Sequence, residues 1–360
     1  MKSRIGLNLA RVRPLSVIQA GVLAVSALFG TSMASAQEQD RFRGLIEPIK
    51  AEKPLTFGVT LVHLNDDFWK GIAYGIQDEA RRSGAKVVQI SVAGNYGNVR
   101  EQFGQLSALK SLGVDYAFVG AASFDGYNNI FKDLQSSGTK VVAVGIPVNS
   151  ANVTFGVWQD ESAIGAALAD AICKVKPDSL TVSVPGPAGA EWARLRYVAF
   201  TEKAKSCNGM KVLPGAFGGG VDLSWGLSQT ADQLLRHPDA SFVYTPVIPL
   251  GMGAVQAIKQ LKRPARVVSS AVVNEAIPMI KDGSILATVS EPGILIGRLA
   301  VQYAIRQAEG KPMPNLIRND PLPYPHILIP PTVITPENVG TYPFDLYDLP
   351  PQGWRIDAVQ

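Results

Sequence analysis

The chain has 360 residues, with 34 Lys and Arg against 30 Asp and Glu, three His and two Cys. Four basic residues, Lys2, Arg4, Arg11 and Arg13, fall in the first 14 positions with no acid among them, so the rest of the chain is close to neutral. Balanced charge without runs of one sign excludes the electrostatic footprint of a nucleic-acid binder, and the length exceeds what one hydrophobic core fills, which predicts two domains.

The N-terminal segment sets the compartment. After the basic stretch, residues 15–30 (LSVIQAGVLAVSALFG) are apolar and Met33-Ala34-Ser35-Ala36 ends in a small-residue cleavage site, the pattern of a signal peptide cut after Ala36. The apolar run falls short of the roughly 20 residues of a spanning helix, and neither a lipid-accepting Cys nor an Arg-Arg pair accompanies it. The expected product is periplasmic, with no membrane span after cleavage. Cys173 and Cys207 then meet an oxidising compartment, where one bridge between them is expected. Spacing alone does not bring their Cα atoms together, so two separately buried thiols remain the alternative.

From Leu55 onward apolar runs and amphipathic stretches alternate. LTFGVTLVHL (55–64) predicts a strand; Asn65-Asp66-Asp67 then cap a helix that Gly84 ends. Strands at 86–92, 116–121 and 141–147 alternate with helices near 98–112 and 126–137. A second set follows: helix 160–174, strand 180–186, helix 190–206, strand 210–217, helix 224–236, strand 241–247, helix 251–260, strand 266–273, short helix 275–282, strand 285–291 and helix 293–308. β-branched strands between amphipathic helices predict an α/β fold with parallel sheets covered on both faces, here two doubly wound lobes. Ligands of such sheets sit beyond the carboxyl ends of the strands. The proline-rich stretch 319–360 predicts extended wrapping segments with limited strand content.

No catalytic constellation emerges. His63, His237 and His326 show neither metal nor triad spacing. Gly215–Gly220 lacks the Lys-Ser/Thr of a phosphate loop, and no G-x-S-x-G elbow occurs. No enzyme activity, metal or cofactor is expected.

Residues 55–312 resemble the ribose-binding-protein-like family of type I periplasmic receptors. The carrying segments are LVHLNDDFWKGIAYGIQDEARRSG, SVPGPAGAEWARLRYVAF, QLLRHPD and KDGSILATVSEPGILIGRLAVQYAI, in that order and spacing. The resemblance implies two lobes joined by a three-crossover hinge, with residues 37–54 as an N-terminal extension. Lobe 1 is expected at 55–157 plus 292–320, and lobe 2 at 158–291 plus 321–360. Phe68-Trp69, Gly156-Val157-Trp158, Val184-Pro185-Gly186-Pro187 and the long tail resemble one branch of that family, and this resemblance implies a receptor for trimethylamine N-oxide that works with a membrane sensor histidine kinase. An ABC permease is the alternative partner, with a sugar or other small polar solute.

The family's hydroxyl-binding ladder is largely replaced. Ile146-Pro147-Val148-Asn149, Thr245-Pro246 and Ser270-Ala271 stand where the family places Asp-Arg, Asn and Phe-Asp. Arg196 and Glu291 remain. The expected ligand-binding residues are Asp67, Phe68, Trp69, Trp158, Trp192, Arg196, Tyr244 and Glu291. Aromatic faces with a carboxylate hold methylated ammonium groups, and Arg196 or a helix-start amide would receive the oxygen of an N-oxide. Aromatic residues also dominate cores, and Trp225, inside a helix, is assigned there.

Overall fold

The computed structural model describes residues 42–318 and 322–356; the signal segment, with its cleavage site at Ala36, lies outside them. The chain divides into two compact units at Gly44, and the unit from Leu45 onward holds every element described here.

Within that unit two sheets form two lobes. The first has the strand order β11-β5-β4-β3-β1-β2 and is parallel throughout. Its strands are β1 (Thr56–Leu61), β2 (Lys86–Val92), β3 (Tyr116–Val119), β4 (Lys140–Gly145), β5 (Phe155–Gln159) and β11 (His326–Ile329). The second has the order β12-β10-β9-β8-β6-β7 and is parallel except at its β12 edge. It comprises β6 (Leu180–Ser183), β7 (Lys211–Leu213), β8 (Phe242–Tyr244), β9 (Arg266–Ser270), β10 (Ile285–Val289) and β12 (Val333–Ile334). The central strands are buried almost completely, because helices cover both faces of each sheet.

Helices begin and end where side-chain chemistry dictates. In α1 (Asp67–Ser83), Asp66 accepts the amide hydrogen of Trp69 at 2.9 Å, and Gly84 closes the helix in the left-handed region at φ 81°. In α4 (Glu161–Val175) Asp160 accepts from the amide of Ala163 in the same way. The remaining long helices are α2 (Val99–Leu112), α3 (Asn128–Ser136), α5 (Glu191–Lys205), α6 (Leu223–Arg236), α7 (Ile248–Gln260) and α9 (Gly293–Ala308). The short α8 (Ile277–Lys281) and α10 (Phe344–Tyr347) complete the set.

Glycines let the main helix pairs pack backbone against backbone. A Cβ at Gly75 of α1 would run into the Ile294 carbonyl of α9, and one at Gly165 of α4 would run into the Arg196 carbonyl of α5. The first contact fixes the start of α1, the second fixes Arg196.

The chain passes between the sheets after β5, after β10 and after β11. Two of these passages correct the expected boundaries. Strand β5, running to Gln159, is wholly in the first sheet, so Trp158 belongs to lobe 1. The tail 321–360 does not belong to lobe 2 as a block: β11 pairs with β5, Gly156 donates to the Pro325 carbonyl at 3.0 Å, and Tyr324 is buried in the lobe 1 core. Edge strand β5 offers a row of unpaired backbone groups, and the tail satisfies them.

The tail then pairs with β10 through β12 and returns toward lobe 1. The Tyr342 and Ser290 hydroxyls both donate to the buried Asp348 carboxylate, at 2.8 and 2.7 Å. Trp354 Nε1 donates to Gln77 of α1 at 3.3 Å, and its ring meets Tyr74 edge-on. At the other end of the body, the Ile49 amide and carbonyl are both held by the side chain of Gln302 on α9.

Cys173 of α4 and Cys207, just beyond α5, form a disulfide across a sequence separation of 34, with Cα atoms 5.8 Å apart. The bridge ties the helix pair that carries Glu161 and Arg196. Replacing both cysteines with Ala is expected to lower stability by about 3 kcal/mol, measured as a fall in the urea midpoint, with solute binding by the folded protein retained.

Candidate functional site

A cavity of about 360 Å³ opens where the carboxyl ends of the two sheets meet. Lobe 1 supplies its wall from the β1–α1 turn: His63, Asp66, Asp67, Phe68 and Trp69, with Tyr96 beyond β2. Lobe 2 supplies Trp192 and Arg196 from α5, and an apolar stretch around Val247–Pro249 and Ala271–Val273. Gln159, Glu161 and Glu291 lie where the chain crosses between lobes and form the floor.

The floor is a buried ion cluster. Arg196 is 2% exposed; its Nε donates to Glu161 at 2.5 Å, and the two hydrogens of its Nη1 are shared among Glu291 and Ser270, each at 2.5 Å, and the Pro246 carbonyl at 2.8 Å. Glu161 comes from the first turn of α4 and Glu291 from the end of β10, 6% and 7% exposed. The Trp192 ring, one turn before Arg196 on α5, lies 5.0 Å from the guanidinium carbon and roofs it. Gln159 Nε2 donates to Glu161 Oε1 at 3.2 Å and to Glu291 Oε2 at 3.3 Å.

Two carboxylates therefore share one guanidinium, and with both ionised the cluster carries one uncompensated negative charge. Burial raises the Glu161 carboxyl above the usual carboxylate range; Arg196 opposes the rise and the charge of Glu291 adds to it. Burial works against the Arg196 charge, but Glu161 and Glu291 outweigh it and hold the guanidinium more firmly protonated than usual. Closer to the mouth, burial raises Asp66 as well, while the Trp69 amide and His63 act to lower it. Asp66 and Asp67 add further negative potential at the N-terminus of α1.

The lobe 1 wall rests on Trp69. Its ring lies over the backbone at Gly120 and Gly145, at the ends of β3 and β4, where a Cβ would strike it. Its Nε1 donates to the Tyr96 hydroxyl at 3.3 Å, and Phe68 meets it edge-on at 5.2 Å. Opposite, Ala271 sits at φ 66°, a conformation non-glycine residues seldom adopt, and its carbonyl accepts from Thr288 at 2.7 Å. Strain in the backbone shaping this wall is consistent with a site whose geometry is selected.

Of the eight residues expected from sequence, the structure brings Asp67, Phe68, Trp69, Trp192, Arg196 and Glu291 to the cavity. Trp158 and Tyr244 are corrected to core residues. The Trp158 side chain leaves β5 on the helix-covered face and stacks on His326 at 4.7 Å, with Tyr324 at its edge. Tyr244 is fully buried on β8 between Phe200, at 4.2 Å, and Tyr197. A strand turns alternate side chains to opposite faces, and both residues point inward.

Arg196, expected with a helix-start amide as a receiver of an anionic oxygen, directs its Nε and Nη1 hydrogens to protein acceptors. Sequence reasoning missed Gln159, Glu161 and Tyr96. Glu161 follows a capping Asp, so it reads as an ordinary first-turn acid; only its position facing Arg196 distinguishes it.

The model of a periplasmic binding protein domain matches residues 57–312. The chain belongs to that family. It is similar to a solved sugar ABC transport system substrate-binding protein from Bordetella parapertussis, 52% identical, with a TM-score of 0.83 over 88% of this chain and 100% of that one. A solved ABC transporter solute binding protein from Bradyrhizobium, with bound Bis-Tris, is 25% identical, with a TM-score of 0.75 over 86% and 90% of the two chains. The periplasmic protein TorT of Escherichia coli is 26% identical over 81% of each chain. The protein is thus a periplasmic solute-binding protein of type I fold and not an enzyme. Among the described residues no helix is long and apolar enough to cross a membrane.

Replacing Arg196 with Met leaves Glu161 and Glu291 facing each other in a buried site. The expected loss is about 3–5 kcal/mol, read from chemical unfolding at neutral pH. Glu161 binds its proton more tightly folded than unfolded, so its stabilising contribution is present below the ordinary carboxylate range and is lost as pH rises through its folded value. In the ligand-free protein, Glu161→Gln should therefore gain stability relative to wild type as pH rises above the ordinary carboxylate range, which a series of unfolding curves at increasing pH measures.

Proposed function

We propose that this protein is the solute-binding component of an ABC importer and closes around a small organic cation of the methylated-ammonium class. The observation that carries the proposal is the cleft floor, where two buried carboxylates meet one guanidinium beneath aromatic side chains from both lobes. A cation supplies the missing positive charge, and Phe68, Trp69 and Trp192 offer faces to its alkyl groups. An anionic solute would meet a floor already short of positive charge.

Closure follows from the two-sided wall. A ligand shifts the equilibrium toward a closed form only by its preference for that form, so it must touch both lobes, as a solute between Trp69 and Trp192 would. The importer assignment leans on the Bordetella parapertussis relative, and the Bradyrhizobium protein, with Bis-Tris bound, offers a precedent for an amine in this fold.

Two observations favour second readings. The resemblance to TorT over most of both chains supports a membrane sensor kinase as partner, with an N-oxide as its signal. The name of the Bordetella parapertussis relative supports a sugar, against which the apolar lobe 2 wall, Val247, Ile248 and Ala271 among it, argues.

A thermal-shift series of the mature protein against trimethylamine hydrochloride, choline, trimethylamine N-oxide, ribose and glucose separates these outcomes. An ammonium compound at a hundredfold excess over its dissociation constant should raise apparent stability by about 2.7 kcal/mol. Trp192→Ala should weaken that ligand by about two- to thirtyfold, from the loss of one cationic ring contact of about 0.5–2 kcal/mol. A shift with ribose or glucose alone would overturn the cation assignment.

A further inference from the structure

Gln159 is the last residue of β5 and is 3% exposed, at the meeting point of both lobes. Its Nε2 donates to Glu161 and Glu291, and this fixes the direction of the amide. The reversed amide would press its oxygen against two carboxylates. The oxygen is consequently turned away from them, and among the described residues Gln159 Oε1 is a buried acceptor with no hydrogen-bond partner. Buried polar groups of folded proteins are almost always paired, so an orphan acceptor on a residue that lines a ligand cavity points to a donor that arrives with the ligand.

The chemistry of that donor follows from its neighbours. Glu161 Oε1 and Glu291 Oε2 flank Gln159, each held only by the long amide bonds at 3.2 and 3.3 Å, and both belong to the cluster that lacks one positive charge. A group that meets an amide oxygen and this charge deficit at one point is a nitrogen bearing both a positive charge and a hydrogen. A quaternary ammonium brings the charge without the hydrogen. An N-oxide brings an acceptor oxygen to a place already rich in acceptors, and a sugar hydroxyl brings the hydrogen without the charge.

We infer that the site selects a protonated amine, up to tertiary, by directing its N–H to Gln159 Oε1, with the alkyl substituents turned toward Phe68, Trp69 and Trp192. The inference rests on the cation assignment above and narrows it: Gln159 makes the site a detector of N–H⁺ and not of alkylated nitrogen in general.

Isothermal titration of the mature protein with trimethylamine hydrochloride, tetramethylammonium chloride and Bis-Tris tests it. Near neutral pH, trimethylammonium is expected to bind at least about tenfold tighter than tetramethylammonium, a difference worth about 1.4 kcal/mol. Gln159→Leu, checked for native unfolding behaviour, should bring the two within about threefold of each other. The wild-type protein gives an arm that needs no variant: affinity for Bis-Tris should fall as pH rises through the pKa of the amine, while tetramethylammonium shows no such fall. Tetramethylammonium binding as tightly as trimethylammonium, or a preference unchanged in Gln159→Leu, overturns the inference and leaves the cation assignment standing. Binding of ribose with no binding of any cation overturns both.

Discussion

The bridge from Arg196 to Glu161 and Glu291 is the interaction on which the site depends. Three charged groups sit nearly out of water, and none would be tolerated there alone. Arg196 and Glu161 come from adjacent helices of lobe 2, and Glu291 from the strand end where the chain leaves that lobe. The cluster thus joins the body of one lobe to the crossover and sets the charge of the cleft floor. Ser270 and the Pro246 carbonyl hold the guanidinium from below, which leaves the excess negative charge facing the cavity.

Packing makes that placement reproducible. Gly165 brings α4 against the backbone at Arg196, the Cys173–Cys207 bridge closes the far end of the same helix pair, and Trp192 covers the guanidinium from the cleft side. In lobe 1 the Gly75 contact with α9 seats α1, and Asp66 fixes its first turn, so Asp67, Phe68 and Trp69 are presented on a rigid helix start. Both walls are therefore carried by regular elements, and Gln159 and Glu291 lie at the ends of strands.

The terminal segments belong to the same plan. The tail adds β11 to one sheet and β12 to the other, and its Trp354 reaches the α1 helix that bears the lobe 1 wall. Asp348 accepts from Ser290, next to Glu291, and from Tyr342. The tail thereby braces the crossover from behind while the ion cluster organises it from within.

Much of this was legible locally. Alternating apolar runs and amphipathic stretches determined the α/β class and the order of helices and strands, because burial on both sheet faces and the 3.6-residue helical period leave their marks within a dozen residues. Asp66 and Gly84 announced the ends of α1, whereas Arg196 and Glu291 were marked as site residues by the family resemblance. Which partner a charge finds is a long-range matter: Arg196 is 35 residues from Glu161 and 95 from Glu291. Tertiary structure alone decided that Trp158 and Tyr244 face the cores, that the tail completes the first sheet, and that Gln159, a residue lining the cleft, keeps a buried amide oxygen without a partner. Each depends on which face of a strand a side chain takes and which strand pairs beside it, and pairing between distant segments leaves no trace in either segment read by itself.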